Sequence, residues 1–301
     1  KMRQKIFKAF INLISLILIS LNNLFIKLFK RDHFLTVIHD NIQKKLYNSF
    51  KIRDKAIKFF CPSTLSLMRV KTFYTKEPET LKWIDNFETN SKSKIIFWDI
   101  GANIGLYSIY ASIIHENIDV ISFEPSTSNT RLLSRNISIN SLSDRIKIFP
   151  LALNDKKNIF SLFNETDFQE GSAISTFDKN INSKGIKLNE NIVENKYKLF
   201  GTTIDYLIDN KFIGVPNYIK IDVDGIEHLI LKGANKLMDQ DDLKELSVEM
   251  NPTNKDQSEF IYKLFREKGF QKIISTNANL IENENYILKQ NENVNTIFRK
   301  I

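Results

Sequence analysis

The chain has 301 residues, 42% of them apolar, which is enough for one sizeable α/β core plus an extension but short of two full domains. A single cysteine, Cys61, excludes an intramolecular disulfide and any cysteine metal cluster, and with four histidines the composition points to cytoplasmic chemistry. The net charge of +8 sits at the N-terminus: residues 1–60 hold 13 basic against 3 acidic side chains and residues 61–301 hold 30 against 32, which argues against a nucleic-acid substrate.

Residues 6–29 form a long apolar stretch, with Lys1, Arg3, Lys5 and Lys8 at one end and Lys27, Lys30 and Arg31 at the other. Lys5, Lys8, Asn12, Ser15, Asn22, Asn23, Lys27 and Lys30 recur at spacings of three and four, which gives a helix one narrow polar stripe. Such a helix suits a membrane interface, and its lysines favour anionic lipid. Packing against the protein's own domain or a partner chain is the alternative. Asn12, Asn22 and Asn23 count against a spanning helix, and no small-residue cleavage site supports a signal peptide. A helical pattern continues over residues 35–60 through Leu35, Ile38, Ile42, Leu46, Phe50, Ile57 and Phe60. The expected organisation is a basic amphipathic helical extension over 1–60, associated with a membrane surface, and a second domain over 61–301. Cys61, followed by Pro62 and without a basic neighbour, reads as a buried small hydrophobe.

An irregular or β-like segment is expected over 65–74, then a helix over 78–87 with Pro78 in its first turn and Glu77 and Glu79 at its positive end. Residues 94–105 read as an apolar strand ending in Asp99 that runs into a loop marked by Gly101 and Gly105, with a helix from about Leu106. This is how a nucleotide-type cofactor site is built. About twenty residues on, 119–125 reads as a second strand, and Glu124 at its end can accept both hydroxyl hydrogen bonds of a ribose. The order suits NAD enzymes and S-adenosylmethionine (SAM) methyltransferases alike. The loop, lacking three-glycine Gly-x-Gly-x-x-Gly spacing, favours the second.

Farther along, 126–140 reads as a helix with Leu132, Leu133, Ile137 and Ile139 inward, and 145–150 as a third strand. Alternation around 158–163 and 173–177 suggests a β-hairpin excursion, and 203–210 a short helix. Tyr218-Ile-Lys-Ile-Asp222 is a fourth strand. A helix over 256–268, a strand over 270–275 and a final antiparallel edge strand over 295–299 complete the alternation. The connection 277–293 reads as a loop with a short strand at 286–288.

Thr75-Lys-Glu-Pro-Glu-Thr-Leu-Lys-Trp-Ile84, Asp99-Ile-Gly-Ala-Asn-Ile-Gly-Leu-Tyr-Ser108, Phe123-Glu-Pro125, Ala152-Leu-Asn-Asp155 and Tyr218-Ile-Lys-Ile-Asp-Val-Asp-Gly-Ile-Glu227 occur in the order of the FkbM-type SAM-dependent methyltransferases, which the chain resembles over roughly residues 69–251. Leu231-Lys-Gly-Ala234 and Val248-Glu-Met-Asn251 continue the match. The resemblance implies an α/β class I (Rossmann-like) methyltransferase fold: a mostly parallel seven-stranded sheet with helices on both faces, preceded here by the N-terminal helical extension. It implies SAM held by Asp99, Gly101, Asn103, Gly105, Glu124 and Pro125, with Ala152 and Leu153 bordering the adenine. In that strand order Asp99, Asp222 and Glu249 would meet at the strand ends, with Lys220, the SAM sulfonium, helix N-termini or a divalent metal as compensating charge. No metal ligand set is predicted.

Methyl transfer needs the acceptor aligned and its proton removed. Asp222, Glu227 and His228 are the catalytic candidates, with Asp224 beside them. Glu227 is equally readable as a helix-terminal carboxylate, His228 as a capping residue, Glu249 as an acceptor for buried backbone donors, and Lys220 as a charge partner. By resemblance the expected acceptor is a sugar hydroxyl of a bacterial surface glycan or its lipid-linked precursor, at the cytoplasmic membrane face. Methylation of a small secondary metabolite and SAM binding without catalysis remain as alternatives.

Overall fold

The computed structural model describes residues 2–88, 93–275 and 293–301. They form two compact units, residues 1–47 and 48–301.

The first unit is a pair of helices, α1 (Met2–Phe29) and α2 (Phe34–Gln43), joined by a turn in which Lys30 takes a left-handed conformation. Phe25 stacks on Phe34 at 5.4 Å between ring centroids. No described residue of either helix is buried, and Phe7, Leu16 and Leu28 stand more than half exposed. The segment Lys5–Phe29 is long and apolar enough to cross a membrane, by length and composition.

The helical expectation for 35–60 holds only as far as Gln43. Strands β1 (Tyr47–Ile52) and β2 (Lys55–Phe60) follow as a hairpin, with Arg53 at positive φ in its turn. Ile57 and Phe59 alternate with the exposed Ala56 and Lys58, a period of two that sparse apolar residues disguise as a helical stripe. The hairpin docks on the domain through side-chain amides. Asn136 Oδ1 accepts from the Phe60 N–H at 2.8 Å, and Asn140 pairs with both backbone groups of Lys58.

Residues 65–74, expected irregular or β-like, lie instead in helix α3 (Thr64–Lys76). The β-branched and aromatic run from Val70 to Tyr74 suggested extended chain, but the Ser63/Ser66 capping box starts a helix whose Ser66, Val70 and Phe73 are buried. Helix α4 (Pro78–Asp85) follows as its sequence predicts.

The main sheet alternates with helices: β3 (Ile95–Ile100), α5 (Leu106–Ile114), β4 (Ile118–Phe123), α6 (Thr127–Ile139) and β5 (Ile146–Phe149). An excursion then builds a second sheet from β6 (Ala152–Leu153), β7 (Ile159–Glu165), β8 (Ser175–Phe177) and β9 (Asn195–Thr202), in the order β6-β9-β7-β8. The β7–β8 hairpin is antiparallel, as the alternation predicts, whereas β9 escaped the sequence reading. Helix α7 (Ile204–Asp209), β10 (Tyr218–Ile221), α8 (Glu227–Lys232), β11 (Glu245–Met250), α9 (Lys255–Glu267), β12 (Phe270–Ser275) and β13 (Val294–Lys300) complete the domain.

The seven strands run β12-β13-β11-β10-β3-β4-β5. β11, β10, β3, β4 and β5 are parallel, and β13 is antiparallel to both neighbours. β13 is therefore not the edge strand expected: it fills the gap that the α9 crossover leaves between β11 and β12. Central strands are buried at nearly every position, so both faces are covered. The core joins Trp98, Ile219, Ile221, Leu246 and Val248 to Ile230 and Phe265, and Phe265 stacks on Phe298 at 4.0 Å. The strand expected at 286–288 lies outside the described residues.

Candidate active site

Where β3 ends, the chain must turn while β10 presses against it. Gly101 has φ +85°, and a Cβ there would stand 1.9 Å from the Asp222 carbonyl oxygen, so only glycine fits. Gly105, at φ +89°, opens α5, and its Cβ would stand 2.6 Å from a methyl of Leu133. Between them Asn103, itself at positive φ, donates its backbone N–H to Glu124 Oε2 at 2.7 Å and its side-chain amide to the Ser172 carbonyl at 2.8 Å.

Glu124 is buried at the end of β4. Its other oxygen accepts the Ser126 N–H at 2.9 Å. Burial pushes its pKa up to about 7 against the pull of these two backbone donors. Both carboxylate oxygens retain lone pairs for further donors, such as the two hydroxyls of a ribose.

The residues expected to hold cofactor divide into two groups. Gly101, Asn103, Glu124, Pro125, Ala152 and Leu153 line one cavity of about 860 Å³, including its open mouth. Asp99 and Gly105 do not. Asp99 is fully buried behind the loop, where Ser108 donates to it at 2.6 Å, its second oxygen has no partner and burial raises its pKa. It braces the loop from below.

Strand order places Glu124, Ala152 and Leu153 on one side of β3, and Asp222 and Glu249, following β10 and in β11, on the other. The cavity spans both and is closed by Phe163, Ser172, Ala173, Ser175 and Phe177 of the excursion, together with Arg69 and Lys76 of α3. Neither cation was singled out from the sequence. A helical reading of 64–76 would have put both on one face, seven residues apart.

Asp222, Asp224 and Glu249 are the cavity's acids on the β10–β11 side. Lys220 is buried, and its Nζ lies 2.5 Å from Asp222 Oδ2 and 4.7 Å from the centre of the Tyr107 ring. Burial opposes its charge, yet Asp222, Glu77 and Asp99 outweigh that and raise its pKa. Burial likewise opposes ionisation of Asp222, but Lys220 and then Lys76 win and hold it below the usual carboxylate range. Asp224, at positive φ, accepts the Ile174 N–H at 2.8 Å, and burial and then Asp222 raise its pKa. Glu249 lies well above the usual carboxylate range through burial, then the charges of Asp222, Asp224 and Glu227. Asn293 donates to its Oε2 at 2.8 Å.

Glu227 and His228 do not reach the cavity wall. Glu227 is buried under the turn after β10, where it accepts from the N–H groups of Val223 and Gly225 and from Gln257 Nε2 at 2.5 Å. Burial sets its pKa at about 7. The half-buried His228 has an Nδ1 without a partner and a pKa lowered to about 4 by burial and then Lys232 and Lys179. Cys61 is buried, with its thiol pushed up to about 11 by that burial. Among the described residues no group of three or more His, Cys, Asp or Glu is placed to hold a metal ion.

A sheet of seven strands, six running in one direction and one antiparallel strand just inside the edge, with a glycine loop after β3 and an acid ending the adjacent β4, defines the class I SAM methyltransferase fold. Residues 99–272 match the model of the methyltransferase FkbM domain, and the chain belongs to that family. It is 25% identical over 169 residues to methyltransferase sdnD of Sordaria araneosa, covering 49% of this chain and 63% of that protein; it thus spans less than two thirds of that relative's length. Similar solved structures include methyltransferase FkbM of Methylobacillus flagellatus KT (13% identity, TM-score 0.43, 89% of this chain and 60% of that one). Another is precorrin-6y C5,15-methyltransferase of Geobacter metallireducens GS-15 (13% identity, TM-score 0.39, 75% and 87%).

Proposed function

We propose that the chain transfers a methyl group from SAM to a sugar hydroxyl, in a bacterial surface glycan or its lipid-linked precursor. The observation that carries the methyl-transfer reading is one cavity holding both the Glu124 carboxylate and, across β3, the acids Asp222, Asp224 and Glu249. The donor set fits SAM: Glu124 for the ribose, Ala152 and Leu153 for a flat apolar ring, and ionised Asp222 for a cationic centre. Bound SAM supplies an already activated methyl group.

What the chain must add is alignment of the acceptor oxygen and removal of its proton. Asp222, held ionised by Lys220, orients charge and is a weak base. Glu249, on the same cavity wall, is the group we assign to take the proton once it is ionised. Glu227 positions the turn that carries Asp222 and Asp224. The exposed apolar surface of α1 and the lysines of residues 1–60 support peripheral binding to anionic lipid, which would bring a lipid-linked acceptor to the enzyme. Calorimetry with SAM, S-adenosylhomocysteine and NADH tests the cofactor. Binding of NADH, or of no ligand, would defeat the reading; labelled methyl transfer to glycan fractions tests the acceptor.

A further inference from the structure

Residues 166–174 join β7 to β8 as a strap along the cavity, whose wall includes Ser172 and Ala173 of the strap and Ser175 of β8. The strap is tied down on three sides around Gly171. The carbonyls of Glu170 and Gly171 accept from Ser63 Oγ and Arg69 Nε, at the cap and in the body of α3. Asn129 of α6 accepts the Gly171 N–H at 2.8 Å and donates to the Ser172 carbonyl at 3.0 Å. Asn103 of the glycine loop donates to the same carbonyl at 2.8 Å, while its backbone N–H serves Glu124.

The end of the strap is held differently. Ile174 has φ +61°, a left-handed conformation that a β-branched residue resists, and it is 50% exposed, so burial does little to offset the strain. A hydrogen bond on each side fixes it: its N–H donates to Asp224 Oδ2 at 2.8 Å, and its carbonyl accepts from Thr166 Oγ1 at 3.1 Å. Asp224, also at positive φ, thereby joins the strap to the turn after β10. Losing that bond frees Ile174 to relax to the extended backbone of β8, which follows it, and to carry Ala173 off the cavity wall.

We propose that residues 171–174 are a lid on the cavity, with Ile174 as its strained hinge and Asp224 as its latch. Closed, the lid links the cofactor side, through Asn103 and Asn129, to the acid side, through Asp224; open, it admits and releases ligand. Asp224 is then a positioning residue and takes no proton from the acceptor. The lid itself needs no particular ligand, whereas its gating of the cofactor rests on the SAM reading above.

The test is amide hydrogen exchange of the ligand-free full chain, unmodified and as Asp224→Ala, Asp224→Asn and Ile174→Gly, followed by stopped-flow binding of S-adenosylhomocysteine. Asp224→Ala should speed exchange over residues 171–175 about tenfold, and Asp224→Asn, which keeps an acceptor oxygen for the Ile174 N–H, should speed it less. Ile174→Gly removes the steric penalty of the closed form and should slow exchange there about fivefold. That variant carries the test by itself if Asp224→Ala fails to fold. Association and dissociation of S-adenosylhomocysteine should both quicken in Asp224→Ala and both slow in Ile174→Gly, with little change in Kd, because the latch acts in the free and the bound protein alike. Exchange over residues 171–175 that is unchanged in both variants, or altered evenly across the whole domain, overturns the lid. A rise in dissociation alone overturns the latch, since it marks Asp224 as a ligand contact, and binding rates that ignore a lid altered in exchange overturn the gating. Failure of S-adenosylhomocysteine to bind the unmodified protein overturns the SAM reading, while the exchange data still judge the lid.

Discussion

Lys220 and Asp222, two residues apart on β10 and the turn after it, form a 2.5 Å ion pair in which the lysine is buried and the aspartate keeps 22% of its side-chain surface exposed. The pair therefore holds a negative charge at the cavity wall and hides the positive charge behind it. Removing the cation by Lys220→Met leaves Asp222 facing Asp224 and Glu249 uncompensated. The expected cost is about 3 kcal/mol, the low end for breaking a buried pair, because Asp222 retains some water. The pH dependence follows from the directions. Asp222, lowered, stabilises the fold above the ordinary carboxylate pKa, and this is lost as pH falls through its depressed value. Lys220, raised, stabilises below the ordinary lysine pKa, and this is lost as pH rises through its elevated value. Urea melts across pH, with and without Lys220→Met, measure both limbs.

Glu124 titrates near pH 7 in the ligand-free protein, raised by burial. Its contribution to stability has the opposite sign to that of Asp222: the folded protein retains a proton there, so stability falls as pH rises from the ordinary carboxylate value through about 7. Ligand binding moves the other way, because ionised Glu124 is the stronger hydroxyl acceptor. SAM affinity should rise between pH 6 and 8, and Glu124→Gln should flatten that rise and weaken binding about tenfold at pH 8. Equal slopes in the two proteins would count against Glu124 as the ribose acceptor.

Glu249 and Glu227 are separable by kinetics. Glu249→Gln should lower kcat by about a hundredfold with little change in SAM affinity, as expected for loss of a proton acceptor. Glu227→Gln keeps the one oxygen that accepts from both Val223 and Gly225, giving up only the bond from Gln257, and should retain most activity. Glu227→Ala strands those donors together with Gln257 and should cost about 2–3 kcal/mol in thermal melts. A kinetic loss in Glu227→Gln as large as in Glu249→Gln would reverse the assignment.

Truncation separates the two units. Removing residues 1–45 takes away α1 and α2 and should leave a cooperatively folding domain that no longer sediments with anionic vesicles. Removing residues 1–60 also strips Phe59 and Phe60, both fully buried, and should lower stability by about 3 kcal/mol per ring lost. Unchanged vesicle sedimentation after the shorter truncation would remove the membrane proposal.

Gly101→Ala tests the loop. The added methyl would overlap the Asp222 carbonyl at a positive φ, so about 3 kcal/mol of destabilisation is expected, with SAM binding lost before folding is. Calorimetry alongside a thermal melt separates the two effects.

Short-range chemistry made much of the molecule legible. Asp99, Gly101, Gly105 and Glu124 announce a strand, a tight loop and a second strand because glycine and terminal carboxylates are needed there locally. The β7–β8 hairpin and the helices after Pro78 and Asn254 follow from alternation and caps within one segment. Residues 47–60 and 64–76 were misread for one reason: few apolar residues fit either period, and the choice is made by what lies across the interface. Asn136 on α6 and Asn140 at its C-terminal cap complete the β2 edge, and burial of Val70 and Phe73 fixes α3.

The sequence by itself determined the family, the cofactor loop and the acids at the strand ends, since each is written in contiguous residues whose backbone requirements are local. Only the tertiary structure decided which of those acids face the cavity. Asp222, Asp224 and Glu249 do, while Glu227 turns inward to hold a loop and Asp99 braces another. It alone brought Arg69 and Lys76 across from a helix some 150 residues away in the chain. Burial and charge at such a site depend on distances through space, and these are fixed when strands that are remote in sequence pair side by side.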